Sequence, residues 1–474
     1  MTPEEFRRRG HELIDWLADL RASVYAGEHR ALADVKPGWL RSQLPAAPPT
    51  TGEPFEAILR DLEAHIVPGL SHFQHPRFFA YFPSNSLLAS VLGDYASTAL
   101  AQIGLNWASA PALTELEEIT TDWFRQMLGL SNAWSGVIQD TASTSSLVAL
   151  LCARERATDH SAARGGLQAE PQPLVVYSSR HNHSSIEKAV LLAGFGRDNL
   201  RLIDTDREHA LRADALADAI AADRAAGRKP AALVASVGTT TTTAIDPVAA
   251  MARIAAKEGL WLHVDAALAG SAMILPECRA LWEGIEGADS IVVNPHKWLG
   301  AAFDCTTYYV RDPGRLVGVM STNPSYLRTA IDGAARNYRD WGIPLGRRFR
   351  ALKLWFLIRE QGVEGLQARL RRDLANAQWL KEQVDATPPW RRLAPVPLQT
   401  VCVRHEPNGV EGEALDAHTL AWCGRINASG LAWLTPAQLD GRWMVRVSIG
   451  AEATELEDVQ ELWRIMQDEA ARRS

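Results

Sequence analysis

Residues 260–297 read LWLHVDAALAGSAMILPECRALWEGIEGADSIVVNPHK. Two runs in this stretch, LWLHVD (260–265) and SIVVN (290–294), lack the strict polar alternation of a strand with one wet face, and read as strands buried on both sides. Working outward, LVVYSS (174–179) and AALVAS (231–236) repeat the pattern, while ALADAIAADRAA (215–226) and PVAAMARIAAKEG (247–259) are helical in character. Apolar strands separated by helices predict an α/β domain built on a mostly parallel sheet covered on both faces.

Beyond this core the character changes twice. At the N-terminus, T-P-E-E offers Thr2 as a cap, Pro3 at the first helical position and Glu5 for a capping box, and Leu13, Leu17, Leu20 and Val24 form an apolar stripe at helical spacing. Such a stripe at the chain's edge wants a partner, and a second subunit would serve. Five prolines between Lys36 and Pro54 predict an extended arm without regular helix. Past residue 353 come a long helical stretch to Gln383, a Pro-rich break, short strands at 398–405 and 442–450, and a final amphipathic helix around Leu456–Met466. The expected organisation is an N-terminal helical and extended dimerisation segment (1–87), a large α/β domain (88–353) and a small C-terminal α+β domain (354–474).

Composition narrows the function classes. The 474 residues carry 49 Lys plus Arg against 56 Asp plus Glu, a net charge of −7, which provides no general attraction for nucleic acid. The five cysteines, Cys152, Cys278, Cys305, Cys402 and Cys423, form no C-x-x-C pair, so neither a disulfide framework nor a zinc knuckle is indicated. MTPEEFRRRG lacks the apolar stretch of a secretory signal, and no run approaches a membrane span. The expectation is a cytoplasmic protein with neither membrane nor nucleic-acid partners.

In an open parallel sheet, ligands gather at the carboxyl ends of the strands. Those ends are polar here: RHNHSS with His181 and His183 follows 174–179, VGTTTTTAID follows 231–236, Asp265 closes 260–265, and PHKW with Lys297 follows 290–294. A lysine directly after a buried strand can lose its proton and bind an aldehyde, and an acid in the same crevice can hold a proton on a heterocyclic nitrogen. Pyridoxal phosphate asks for that pair, and its phosphate for a cradle. DTASTSSLVALLCARERA (140–157) offers hydroxyls at a helix start, although ordinary N-capping is the plainer role of such a stretch. His181 and His183, two apart, would share a face on a strand, but no third ligand at metal-site spacing accompanies them, so no metal is expected. HFQHPRFFAYFPS (72–84) is an aromatic cluster suited to core packing or to an apolar pocket for a flat substrate. GFGRDN (194–199) lacks the third glycine and the preceding strand of a dinucleotide fingerprint.

Six stretches together, VNPHKWLGAAFDC (293–305), LHVDAALAGSA (262–272), VGTTTTTAID (237–246), YSSRHNHSSIEKA (177–189), HPRFFAYFP (75–83) and GIPLGRRFRALKLWF (342–356), resemble the aromatic-L-amino-acid decarboxylases of the group II pyridoxal-phosphate decarboxylase family. The resemblance implies a fold type I, transferase-like large domain, a homodimer with its site at the subunit interface, and decarboxylation of an aromatic L-amino acid to the amine. It makes Lys297 the Schiff-base lysine, Asp265 the partner of the pyridine nitrogen, His183 the stacking ring and Ala267 the opposite face. Thr141, Ala142 and Ser143 would meet the phosphate, with Thr240, Asn294 and His296 as further cofactor contacts. Tyr326 matches the tyrosine that protonates Cα. Phe73, Tyr81, Phe82, Pro83 and Ser84 would contact substrate, with Ile103 and Leu105 contributed by the partner copy, and Gly346 matches members that admit indole or catechol rings. DOPA and tryptophan-type substrates lead, with tyrosine and phenylalanine open. The alternative is an aromatic aldehyde synthase on the same fold; members with phenylalanine at the Tyr326 position tend that way.

Overall fold

In the computed structural model, Thr2 accepts the Glu5 N–H while the Glu5 carboxylate accepts the Thr2 N–H, starting helix α1 (Pro3–Tyr25) with the reciprocal box that T-P-E-E predicts. Residues 1–322, 333 and 335–472 are described. They divide into two units, one built from 1–83, 372–393 and 399–474, the other from 84–371 and 394–398.

In the first unit, Val24 is the sole buried residue of α1, and Leu17 is exposed. The Lys36–Pro54 stretch departs from its expectation: a short helix, α2 (Trp39–Gln43), lies between Pro37 and Pro45. A single turn escapes the prolines because neither falls where its N–H is needed, and Gly38 at φ 89° supplies the entry. Helix α3 (Phe55–Asp61) follows.

The second unit holds helices α4 (Leu88–Ala99) and α5 (Pro111–Met127) and a seven-stranded sheet. In chain order its strands and helices are β1 (Ser135–Gln139), α6 (Ala142–Thr158), β2 (Leu174–Ser179), α7 (Ser184–Leu192), β3 (Leu200–Ile203), α8 (Ala213–Ala225), β4 (Lys229–Ser236), α9 (Val248–Glu258), β5 (Trp261–Asp265), β6 (Ser290–Val293), β7 (Thr306–Val310) and α10 (Pro313–Met320). The spatial order is β1-β7-β6-β5-β4-β2-β3. The five strands from β6 to β3 are parallel, whereas β7 runs antiparallel to both β6 and β1. Every residue of β2, β5, β6 and β7 is buried, the two-sided covering that their unbroken apolar runs call for. The four predicted strands are present; β1, β3 and β7 are additions, and β1 and β3 are edge strands, short and with weaker apolar signal.

Helix α11 (Ala351–Ala386) is interrupted at Gly362, where φ is 62°. Its first turns cross α4 so closely that a Cβ on Gly93 would lie 2.8 Å from the Leu352 carbonyl oxygen and from the Lys353 Cα. The buried Lys353 ammonium pairs with Asp94 at 3.0 Å beside this crossing.

The remainder of the first unit is a four-stranded antiparallel sheet, order β10-β11-β9-β8, from β8 (Trp390–Arg392), β9 (Thr400–His405), β10 (Thr435–Leu439) and β11 (Arg442–Ser448), packed with α12 (Gly412–Ser429) and α13 (Leu456–Ala471). Trp390 centres its core, 5.4 Å from the Trp422 ring and 5.2 Å from that of Trp463. No helix among the described residues is long and apolar enough to cross a membrane.

Two expectations follow. Gly93→Ala forces the α4 and α11 backbones apart, and urea unfolding should show a loss of about 1–3 kcal/mol; an unchanged midpoint would show that the crossing is loose. Burial pushes the His263 and His296 imidazoles down to about 4, against roughly 6.5 in an unfolded chain. The unfolded chain therefore binds extra protons between these values, so stability is intact above pH ~6.5 and falls as pH drops toward ~4. Going from pH 7 to 5 should cost on the order of 2 kcal/mol per imidazole, and His263→Gln should show a shallower decline than the parent chain.

Candidate active site

Strand β5 ends at Asp265, 8% exposed, whose Oδ1 accepts the Ala267 N–H at 3.1 Å. Its carbonyl accepts the Val237 N–H at 2.9 Å, and the Ala267 carbonyl accepts the Asn294 N–H at 3.0 Å. Asn294, just past β6, accepts the Thr306 hydroxyl at 2.8 Å through Oδ1, and that hydroxyl also lies 3.0 Å from the Asp140 carbonyl. These bonds fasten the ends of β4, β5, β6 and β7 and the exit of β1 into one edge.

Lys297 stands in the turn Pro295–Leu299 after β6, with non-helical backbone angles of φ −95° and ψ −110°. The His296 ring is buried and its Nδ1 accepts the Cys305 N–H at 3.0 Å, while the His296 backbone N–H donates to the Cys305 carbonyl at 3.2 Å. With Nδ1 occupied as acceptor, the neutral ring carries its proton on Nε2.

His183 caps α7, with Nδ1 accepting the Ser185 N–H at 3.1 Å, so its proton is also on Nε2. The ring is otherwise exposed. Desolvation lowers its pKa, the Asp265 carboxylate opposes that, and the Lys297 charge adds to it. The three groups most strongly singled out in the sequence thus share one electrostatic neighbourhood. His181 and His183 lie past the end of β2 at Ser179, where the sequence places them; His181 meets the His209 ring edge-on at 5.5 Å.

Thr141 is the N-cap of α6 with extended backbone, yet its side chain makes no capping bond. Its hydroxyl therefore leaves the first-turn N–H groups of Ala142, Ser143 and Thr144 unclaimed, at the positive end of a 17-residue helix. Ordinary N-capping, the plainer reading of this stretch, is absent. Thr240 lies in the tight loop after β4, where Thr239 Oγ1 accepts the Ala244 N–H at 3.0 Å and the buried Asp246 carboxylate accepts the Ser236 and Leu211 N–H groups, each at 2.8 Å.

The substrate candidates fall into separate groups. Phe73, Tyr81, Phe82 and Pro83 belong to the first unit. There Trp433, which the sequence did not single out, lies 5.6 Å from Phe73 and 5.4 Å from Tyr81, and the Arg446 guanidinium covers the Phe82 ring at 4.8 Å. In the second unit, Ser84 donates to the His296 carbonyl at 3.5 Å. Gly346, Ile103 and Leu105 cluster there: a Cβ on Gly346 would lie 3.6 Å from Ile103 and 4.0 Å from Leu105. Arg347, next to Gly346, pairs with the buried Glu117, which also accepts the Ile138 N–H at 2.8 Å. No local sequence signal marks this pair, since its members are 230 residues apart. Tyr326 lies outside the described residues.

Comparison with known proteins bears on this arrangement. Residues 37–406 match the family described as the pyridoxal-dependent decarboxylase conserved domain. The chain is 41% identical to the aromatic-L-amino-acid decarboxylase of Bos taurus, over 99% of this chain and 97% of that protein. It is 39% identical to a phenylacetaldehyde synthase of Arabidopsis thaliana, with 99% and 97% covered. The crystal structure of Oryza sativa TDC with PLP and tryptamine superposes with a TM-score of 0.95 at 36% identity, covering 99% of this chain and 98% of that one. A match over most of the chain, relatives of nearly equal length and an uncapped helix start beside a strand-end lysine and aspartate agree: the chain belongs to the pyridoxal-dependent decarboxylase family.

Proposed function

We propose that this chain decarboxylates an aromatic L-amino acid to its amine and CO2 with pyridoxal phosphate as cofactor. The observation that carries the reading is the convergence of Lys297, Asp265 and His183 at the carboxyl edge of the sheet, where Asp265 and Lys297 both act on the His183 ring. The donor set suits the cofactor: a lysine for its aldehyde, a carboxylate for its ring nitrogen, two flanking surfaces in His183 and Ala267, and first-turn N–H groups with Ser143 for its phosphate. Thr141, Ala142, Thr240, Asn294 and His296 complete the enclosure. When bound, the cofactor supplies an aldehyde to take up the substrate amine and a protonated ring to receive the electron pair left when CO2 departs.

The chain's own residues do the rest. Asp265, held by the Ala267 N–H, would keep a proton on the ring nitrogen, so that the ring can accept the electron pair as CO2 leaves. His183 keeps its proton on Nε2, so the ring is held in one tautomer while it stacks. Tyr326 gives its hydroxyl proton to the substrate Cα. Ile103 and Leu105, contributed by the partner copy, with Gly346 beside them, make one wall for the aromatic ring, and the missing side chain at Gly346 favours indole and catechol rings; the resemblance gives Phe73, Tyr81, Phe82, Pro83 and Ser84 substrate contacts as well. A second reading, aromatic aldehyde synthesis with consumption of O2 and water and release of CO2, ammonia and peroxide, is favoured by the similarity to a phenylacetaldehyde synthase. Tyr326 and His183 weigh toward the amine.

A homodimer is part of the same reading. Helix α4 leaves Leu88 and Leu92 each 49% exposed, and Ile103 is 62% exposed, an apolar surface that a second copy would cover. Five buried free cysteines suit a reducing, cytoplasmic setting.

The test is product analysis by mass spectrometry after incubating the purified protein with DOPA, tryptophan, 5-hydroxytryptophan, tyrosine and phenylalanine. Amine is expected as the main product. Lys297→Ala should lower turnover by about 10³-fold or more, and Tyr326→Phe should divert product from amine to aldehyde, ammonia and peroxide. Amine alone from the Tyr326→Phe protein would remove that residue from the proton-transfer role.

A further inference from the structure

In the turn carrying Lys297, the Pro295 carbonyl accepts the Gly300 and Ala301 N–H groups and the Asn294 carbonyl accepts the Lys297 N–H, each at 3.0 Å. Every carbonyl from His296 to Gly300 is met by a donor from elsewhere in the chain. His296 takes the Ser84 hydroxyl at 3.5 Å, Lys297 the Asn85 N–H at 3.4 Å, and Gly300 the Leu87 N–H at 3.0 Å. The Trp298 and Leu299 carbonyls take the two shortest bonds, 2.6 and 2.7 Å, and both come from one nitrogen, Nη2 of Arg369.

Arg369 is 8% exposed and projects from the part of α11 beyond Gly362. Trp298 and Leu299 are fully buried, so water is not at hand to replace it. The two bonds are charge-assisted, and a single planar guanidinium ties adjacent carbonyls into a fixed relative orientation. They lie one and two residues past Lys297, whose own ψ of −110° directs the chain away from a helical path. The direction of the lysine stem thus depends on where those carbonyls are anchored as well as on the bonds of Lys297's own N–H and carbonyl to Asn294 and Asn85.

We propose that Arg369 is a positioning residue for Lys297, aiming its amine by holding the Trp298 and Leu299 carbonyls from α11. The inference rests on the proposed role of Lys297 and assigns to Arg369 no contact with substrate or cofactor. A one-ångström displacement of a reacting group is enough to cost about 10²-fold in rate, so loss of the anchor should act on turnover far more than on substrate binding.

The experiment compares Arg369→Met, of similar length but without donors, with the parent holoenzyme. Borohydride trapping and peptide mass spectrometry first establish that the parent links its cofactor through Lys297; no trapped peptide at Lys297 overturns both the inference and the reading beneath it. For Arg369→Met, the expected result is near-stoichiometric cofactor content, a kcat lowered about 10- to 100-fold with KM within about threefold, and a displaced pH midpoint of the lysine–cofactor absorption band. A lower melting temperature with unchanged kcat per bound cofactor and an unchanged midpoint would mean a purely structural role and overturns the inference while leaving Lys297 in place. If Arg369→Met does not fold, Arg369→Lys carries the test. Its ammonium lacks the planar fork, so kcat should fall about three- to tenfold with the midpoint displaced, and parent values for both overturn the proposal.

Discussion

Polar groups delivered by strands buried on both faces have to find their partners at the sheet edge, because no water reaches them from the sides. That constraint orders the whole carboxyl edge of the seven-stranded sheet. Thr306 divides its hydroxyl between Asn294 and the Asp140 carbonyl, Ala267 serves Asp265 with its N–H and Asn294 with its carbonyl, and Asp246 takes two backbone donors. The groups that chemistry needs are fixed as by-products of satisfying the backbone. Reorganisation at the moment of reaction is then small, which is where electrostatic catalysis gains most.

The same economy governs the imidazoles. His183 and His296 each use Nδ1 as acceptor for a backbone N–H, so both are held in the tautomer with Nε2 protonated. His263, two residues before Asp265 on the same face of β5, lies between the Ser290 and Ser146 hydroxyls at 2.9 and 3.4 Å and stays neutral by burial. The neutral rings add no charge of their own beside Lys297 and Asp265.

Much of this was legible in the sequence. The unbroken apolar runs named β2, β4, β5 and β6, and the polar residues after them named the edge. The resemblance to aromatic-L-amino-acid decarboxylases added roles that periodicity cannot express. What escaped were elements and contacts whose signal is not local. Strand β7, TTYYV, has no sequence neighbour that reports it pairs antiparallel with both β6 and β1, and α2 slipped between two prolines because one helical turn demands so little of its flanks.

The division between what the amino-acid order determined and what folding alone decided follows sequence separation. Thr2 with Glu5 and His183 with Ser185 are bonds within a single turn, available to the chain before any tertiary contact forms, and the first was read directly from T-P-E-E. Glu117 with Arg347, Trp433 with Phe73 and Tyr81, and Arg369 with the Trp298 and Leu299 carbonyls join residues from 70 to 360 positions apart. Each exists only because packing brings distant elements together, excludes water, and leaves a buried polar group or ring that one particular side chain can reach.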